Sequence, residues 1–252
     1  MYEPRTYRNL VKGQDLVPFT VEVRETDLYI RAWQNLTEEA EKCVRRCRAL
    51  LEDYIARRPE FKTSLKPLHV PPDSPPIVRE MAEAAAKVGV GPMAAVAGAI
   101  AEAVGRELLR FSPEVIVENG GDIFLSTRTQ RRIAIYAGDS PLSHRIAIEV
   151  APEKTPLGVC TSSGTVGHSL SFGNADAVTV LSRSTALADA AATAIGNLVK
   201  DERDIPKGIE FAQKTAGLEG VVIIKGENLG VWGDVTLSKG SAPVAELREC
   251  RE

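Results

Sequence analysis

Alternating apolar and polar positions near the start of the chain predict a β-hairpin. Residues 19–33 form two alternating segments around a polar turn at 25–27, and a period of two is typical of strands with one buried face. From residue 37 to about 58 the apolar positions recur at helical spacing, and glutamates in the first turn favour a helix there because the helix dipole attracts acids. Sheet structure therefore begins early and is followed by a long helix.

Helical and strand patterns then occur in separate groups. Helical segments at 76–88 and 92–111 precede short strand-like runs between 114 and 161. A strand at 177–181, helices at 184–199 and 204–215, and a last hairpin of 220–225 and 229–237 follow. Grouped strands and paired helices differ from the strict alternation of doubly wound parallel folds. The pattern predicts an α+β fold, mainly an antiparallel sheet backed by paired helices.

The length of 252 residues is ample for one large core. A proline-rich stretch at 58–76 interrupts the periodic patterns and reads as an irregular crossover. We expect a single domain over residues 1–252, in which 1–75 form an N-terminal hairpin and helix lobe with that crossover.

Charge and composition exclude several classes of protein. The 31 Lys and Arg against 34 Asp and Glu give a formal net charge of −3, so no global positive field draws in nucleic acid. The first residues are polar and no apolar run is long enough to span a membrane. Four cysteines in a chain of this length do not form a dense disulfide framework. We expect a cytoplasmic protein with free thiols that binds neither nucleic acid nor membranes.

Two glycines and an acid interrupt a strand pattern at 117–123. Gly120 and Gly121 separate two strand-like runs, and Asp122 follows them directly. Glycine permits positive φ or the close approach of a ligand to the backbone. The segment is therefore either a hairpin turn or part of a binding site.

Hydroxyl residues and glycines follow the strand pattern at 157–161. The polar positions are Thr161, Ser162, Ser163, Gly164 and, further on, His168. Exposed backbone N–H groups and hydroxyls form donor sets that suit phosphate oxygens, although no Walker or dinucleotide-binding glycine motif is present. A phosphate cradle and a polar surface loop both remain open.

The alanine-rich helical pattern at 184–199 carries Asp189 and Thr193. Residues four apart lie on one helix face, and carboxylate and hydroxyl oxygens suit Mg²⁺. Asp189 could equally stabilise the helix dipole beside an incidental Thr193. The pattern alone does not decide between a metal site and a plain helix.

Taken in order, these segments resemble the ApbE superfamily, best known for magnesium-dependent FAD:protein FMN transferases, and are closest to its small cytoplasmic branch. The matching pieces are the small-residue helix 91–101, the turn 120–122, the segment 161–164, the strand 177–180 and the helix segment 188–193. The resemblance spans residues 89–197. It implies an ApbE-like (T-fold-like) antiparallel sheet with paired helices and a groove for the ligand.

The resemblance also implies ligands and roles. Mg²⁺ and FAD would be bound, and FMN would pass to a Ser or Thr of an acceptor protein. Asp189 and Thr193 would ligate Mg²⁺, with a backbone carbonyl of 98–101 as a looser third candidate. The residues implied at the flavin nucleotide are Gly120, Gly121 and Asp122, those at the pyrophosphate are Thr161, Ser162, Ser163 and Gly164, and the candidate base is His168.

Two departures from the family pattern leave other functions open. Glu102 and Ala103 occupy the place of a family lysine and glycine, and the family's histidine loop is shortened around His168. A protein that binds a flavin or another phosphorylated ligand without transferring it is one alternative.

A thiol-dependent protein of sulfur metabolism is another alternative. It would use Cys160 or the pair Cys43 and Cys47, which also fit the apolar stripe of the helix at 37–58. Edge strands and alanine-rich helix faces make a homodimer compatible with the sequence.

Overall fold

Antiparallel strands form the frame of the protein. The computed structural model describes residues 15–164 and 173–240. The strands of this part are β1 Val17–Val23, β2 Thr26–Ala32, β3 Val115–Asn119, β4 Asp122–Ser126, β5 Arg131–Ala134, β6 Ile146–Val150, β7 Leu157–Ser162, β8 Ala177–Ser182, β9 Leu218–Lys225, β10 Asn228–Gly233 and β11 Thr236–Lys239. They form a large sheet in the order β1-β2-β3-β4-β7-β8-β9-β10 and a small sheet in the order β11-β6-β5. All neighbouring strands are antiparallel.

Helices cover one face of the large sheet. They are α1 Thr37–Arg57, α2 Glu60–Thr63, α3 Pro76–Val88, α4 Val96–Leu108, α5 Thr185–Leu198 and α6 Ile205–Lys214. Helix α4 packs on β3 and β4, α5 on β7 and β8, and α6 on β9 and β10, while α3, α4 and α5 also contact one another. The predicted α+β class, an antiparallel sheet backed by paired helices, is confirmed.

The central strands β3, β4, β7, β8 and β9 each contribute to two buried clusters. Phe124 and Cys160 pack with the helices, whereas their neighbours Leu125 and Val159 pack with residues of the small sheet. This follows from the alternation of side chains along a strand. We call the two faces the helix side and the small-sheet side.

The structure differs from the sequence prediction at two element boundaries. The segment 229–237 is not one strand: β10 ends at Gly233, whose φ of +88° turns the chain, and β11 pairs with β6 in the other sheet. The helix predicted at 92–111 begins with a 3-10 turn at Pro92–Ala95, and α4 ends at Leu108. Both differences arise where backbone geometry overrides a continuous apolar pattern.

The N-terminal segment packs into the main core. Phe19, Ile30 and Val44 share one buried cluster with Val104 and Ile195 of the later helices. The single domain over 1–252 stays a prediction. Among the described residues, no individual helix is long and apolar enough to cross a membrane, although α3 and the segment 92–108 pass that test together as a pair bent by 105°.

Candidate functional site

Two carboxylates are buried on the helix side of the large sheet. Asp122 begins β4 and is 8% exposed, and Asp189 lies on α5 and is 9% exposed. Asp189 Oδ2 accepts a hydrogen bond of 2.8 Å from the backbone N–H of Gly98 in α4. Helix α5 and strand β4 therefore bring together two of the residues that the sequence singled out.

The glycine pair positions Asp122 by forming a tight hairpin turn. Gly120 and Gly121 have φ of +65° and +104°, and Asn119 pairs directly with Asp122 across the turn. Glycine adopts positive φ at both central positions of such a turn with little strain because it has no Cβ. The N–H of Gly121 already donates to Glu118 Oε1 at 2.8 Å, so this donor is engaged within the hairpin.

A buried thiol lies beside the carboxylates. Cys160 pairs with Asp122 across the β4–β7 ladder and is fully buried. Its Sγ donates to the carbonyl oxygen of Thr185 at 3.4 Å and also hydrogen-bonds Asp122. Burial, then the charges of Asp122 and Asp189, raise the pKa of Cys160 well above its usual value. Cys160 is therefore held as a neutral thiol, which argues against a nucleophilic role for it.

Burial also raises the pKa of both carboxyl groups. For Asp122 the charge of Asp189 adds to the effect of burial, and the shift is large. Burial raises the pKa of Asp189 to about 7, although hydrogen bonds from the backbone N–H groups of Gly98 and Ala97 lower it in part. Within 15–164 and 173–240, neither carboxylate forms an ion pair with Lys, Arg or His. The pair therefore lacks compensating positive charge in that part of the chain.

Close packing of α4 on α5 gives the site its shape. A Cβ at Gly98 would lie 2.4 Å from the carbonyl oxygen of Thr185 and 2.9 Å from Cβ of Asp189. A Cβ at Gly158 would meet Cα of Thr185 at 2.6 Å. The absence of side chains at Gly98 and Gly158 thus lets α5 approach both α4 and β7.

Glu102 ties α4 to the start of α5. Its Oε2 accepts from the backbone N–H of Thr185 at 2.7 Å, and its Oε1 accepts from Arg106 at 2.6 and 2.8 Å. A carboxylate at a helix N-terminus satisfies an otherwise unpaired donor and interacts well with the dipole. The residue that departs from the family pattern therefore has a structural partner.

The hydroxyl residues at the end of β7 are divided between the two faces of the sheet. The Thr161 hydroxyl hydrogen-bonds the hydroxyl of Thr179 at 2.9 Å, and strand alternation turns both away from Cys160 towards the small-sheet side. Ser162 lies on the helix side, where its Oγ is 3.6 Å from the position a Cβ would take on Gly196. The hydroxyl of Thr161 is therefore not directed at the carboxylates.

Of the four other predicted residues, the structure describes three. Thr193 lies one turn after Asp189 on α5 and is half-buried. Ser163 is half-buried, and Gly164 N–H donates to Ala175 O at 2.9 Å. His168 lies outside the described residues.

Sequence reasoning missed the roles of Asn119, Cys160 and Glu102 in building the site. Asn119 Nδ2 donates to the carbonyl of Ala97 at 3.0 Å and joins β3 to α4. The position of Asn119 directly before Gly-Gly was a usable signal, since Asn and Gly favour hairpin turns. The contact of Cys160 with Asp122 depends on strand register, which the sequence does not show.

The carboxylates offer a small set of metal ligands. Across 15–164 and 173–240, no group of three or more His, Cys, Asp or Glu side chains is arranged to hold a metal ion. Mg²⁺ is often bound by one or two carboxylates together with waters and substrate phosphates. The donor set of Asp122, Asp189 and Thr193 fits that mode and does not form a full protein cage.

Comparisons with known proteins place the chain in a family. A family model described as "AbpE bacteria" matches residues 8–216. A UPF0280 protein of Methanococcus aeolicus is 44% identical over 201 residues, covering 78% of this chain and 81% of the relative. The chain belongs to the ApbE-like superfamily. A UPF0280 protein of Methanocaldococcus jannaschii is 41% identical over 219 residues, covering 84% of this chain and 89% of that protein.

Solved structures share the fold of this ApbE-like chain. The flavin transferase ApbE from Vibrio cholerae matches with a TM-score of 0.57 and 14% identity, covering 86% of this chain and 96% of that one. The apo flavinyl transferase ApbE from Pseudomonas stutzeri matches with a TM-score of 0.53 and 17% identity, covering 86% and 93%. The predicted ApbE-like fold is confirmed.

Proposed function

We propose that this protein binds FAD together with Mg²⁺ and transfers the FMN moiety to a Ser or Thr hydroxyl of an acceptor protein. The observation that carries the proposal is the buried pair Asp122 and Asp189, which has no ion-pair partner within the described residues. Burying carboxylate charge without compensation is unfavourable. A bound cation supplies that compensation, and solved structures of the same fold bear the name flavin transferase.

The chain's own oxygens would hold the cation and the nucleotide. Asp189 and Thr193 would bind Mg²⁺, with Asp122 beside them. When bound, Mg²⁺ would neutralise charge on the pyrophosphate. Ser162 ends β7 near the C-terminal end of α5, and Ser163 and Gly164 follow it. We assign these three residues to the pyrophosphate.

Transfer of FMN is a displacement at phosphorus. The acceptor hydroxyl oxygen would form a bond to the phosphorus on the FMN side of the pyrophosphate, while the bond to the bridging oxygen breaks and AMP leaves. The hydroxyl proton would pass to a base, a role that we assign to His168. Such reactions depend mainly on positioning and charge stabilisation, so few protein groups are needed.

Binding without transfer is the second candidate. The carboxylate of Glu102 is fixed on the Thr185 N–H, so the place of the family lysine carries a negative charge. The N–H of Gly121 is engaged by Glu118 and is not available to a phosphate. Both observations weaken the phosphate contacts that a transferase needs and favour a protein that only holds the nucleotide.

Equilibrium binding of FAD with and without Mg²⁺ tests the site. We expect Mg²⁺ to tighten FAD binding about tenfold or more, which is about 1.4 kcal/mol. Asp189→Asn should abolish this gain, whereas the matched variant Asp139→Asn, at an exposed position, should keep it. An affinity for FAD that changes neither with Mg²⁺ nor with Asp189→Asn would contradict the assignment.

Product analysis separates transfer from binding. Incubation with FAD, Mg²⁺ and a flavin-acceptor protein should release AMP and leave FMN covalently on a Ser or Thr. Tight binding of intact FAD without AMP release would support the second candidate. The cytoplasmic location, the homodimer and the absence of nucleic-acid or membrane partners stay predictions.

A further inference from the structure

Helix α1 carries two thiols that the proposed function does not use. Cys43 and Cys47 lie one helical turn apart, and the two residues are 3% and 7% exposed. Both side chains lie on the buried face of α1, because residues four apart share one face of a helix. Two thiols on one face of a helix allow one to be oxidised and the other to form the bridge that follows.

A guanidinium distinguishes one sulfur from the other. Arg46 Nη2 donates to Cys43 Sγ at 3.7 Å, while the Arg46 side chain is 62% exposed and lies 3.5 Å from Glu107 of α4. As a thiol, Cys43 can donate to the carbonyl oxygen of Ala103 at 3.7 Å instead. Positive charge and a donor next to a sulfur stabilise its thiolate form.

The pKa values of the two thiols separate in the direction that this geometry requires. The hydrogen bond from Cys47, followed by the charge of Arg46, lowers the pKa of Cys43 to about 7, against burial and the charge of Glu107. The same hydrogen bond, burial and the charge of Glu80 on α3 raise the pKa of Cys47. Near neutral pH part of the Cys43 population is therefore thiolate, whereas Cys47 stays protonated.

We propose that Cys43 and Cys47 form a peroxide-sensitive dithiol, in which Cys43 is the nucleophile and Cys47 resolves the oxidised product. The Cys43 thiolate attacks one oxygen of hydrogen peroxide, the O–O bond breaks, and a sulfenic acid and hydroxide form. The Cys47 sulfur then attacks the Cys43 sulfur, the S–O bond breaks, and the Cys47 proton leaves with the hydroxyl group as water. Two electrons pass from the sulfurs to peroxide, which ends as one hydroxide ion and one water.

Size and helix geometry favour this oxidant and this product. A small peroxide reaches a sulfur that is almost covered more readily than a bulky disulfide does. Residues four apart in a helix are about 6 Å apart along the axis, within the range of about 4.4–6.8 Å for Cα atoms of a disulfide. The two Cβ atoms must still approach each other, so formation of the bridge changes the geometry of the turn of α1 that carries both cysteines.

Mass spectrometry of the native protein treated with hydrogen peroxide tests the proposal. We expect the mass to fall by two hydrogen atoms, a bridged peptide that joins Cys43 to Cys47, and full reversal by a reducing agent. Cys47→Ser should stop at a sulfenic acid on Cys43 that a dimedone probe captures, and Cys43→Ser should leave Cys47 reduced. Cys250→Ser serves as the control and should give the same bridge.

The pH dependence of peroxide consumption provides a readout that a packing role would not move. Arg46→Met keeps the aliphatic stem but removes the charge, so we expect consumption slower by about twofold or more at neutral pH, because less Cys43 is ionised. In strongly alkaline solution the rates should converge. Cys43 and Cys47 that remain reduced in the folded wild-type protein under millimolar peroxide would overturn the proposal, as would a bridge formed through Cys160 or Cys250.

Discussion

The two ends of the β3–β4 hairpin differ in whether their buried carboxylates have a cationic partner. At one end Glu114 meets Arg131, whose side chain is 3% exposed, at 2.9 Å, and Asp15 meets the same guanidinium through two contacts of 2.7 Å. At the other end Asp122 and Asp189 are buried without a cationic partner among the described residues. Burial alone therefore does not mark a functional carboxylate. The absence of compensating charge is the more informative feature.

The pKa shifts express the same contrast. Contacts with Thr127 and Arg131 outweigh burial and lower the pKa of Glu114, whereas burial raises the pKa of Asp189 to about 7. Ionisation of Glu114 stabilises the folded protein, and ionisation of Asp189 destabilises the ligand-free fold. One end of the hairpin contributes stability, and the other carries the carboxylates to which we assign a cation.

Removal of the central cation should have the largest effect. Arg131→Met leaves Glu114 buried without its partner, so we expect a loss of about 3–5 kcal/mol in the free energy of unfolding. At roughly 2–4 °C per kcal/mol for a chain of this size, the thermal midpoint falls clearly. Arg132→Met, at a half-exposed arginine that pairs with Glu149, is the control and should change little. An equal fall of the thermal midpoint in Arg131→Met and Arg132→Met would contradict the contrast between the two ends of the hairpin.

Replacement of Glu114 should have an intermediate, pH-dependent effect. Because the folded pKa of Glu114 is lowered, its charge contributes stability that is present above the unfolded pKa and disappears as the pH falls through the folded value. We expect Glu114→Gln to cost about 1.5–3 kcal/mol at neutral pH and progressively less in acid. Thermal unfolding of both proteins across the acid range measures this. A difference independent of pH would show that packing, not charge, is responsible.

The smallest effect is expected at Glu102. Glu102→Gln retains an oxygen for the Thr185 N–H and loses only the ion pair with Arg106, whose side chain is 57% exposed. Exposed pairs contribute about 0–1 kcal/mol. Glu102→Leu removes the acceptor as well and should cost about 1–3 kcal/mol. Identical unfolding of the Gln and Leu variants would show that the bond to α5 has no structural role.

Local patterns predicted much of this fold because local chemistry determines it. Positive φ at Gly120 and Gly121 produced a hairpin turn, one of the two alternatives that the sequence left open, and the alanine-rich pattern became α5 with Asp189 on its buried face. The sequence around Thr161 does not show which face of the sheet its side chain occupies, because strand register determines that face. The Arg131 cluster was missed because its partners are 17 and 116 residues away along the chain.

Thermal unfolding of wild type and Asp189→Asn at about pH 8, each with and without FAD plus Mg²⁺, tests the central claim most directly. The folded pKa of Asp189 is raised to about 7, so its stabilising contribution is present below the unfolded pKa and is lost as the pH rises through the folded value. We therefore predict that ligand-free Asp189→Asn unfolds at a higher temperature than ligand-free wild type, while only wild type gains stability from the ligands. A variant that is less stable without ligands, yet stabilised by FAD and Mg²⁺ as much as wild type, would contradict the account and make Asp189 a structural residue.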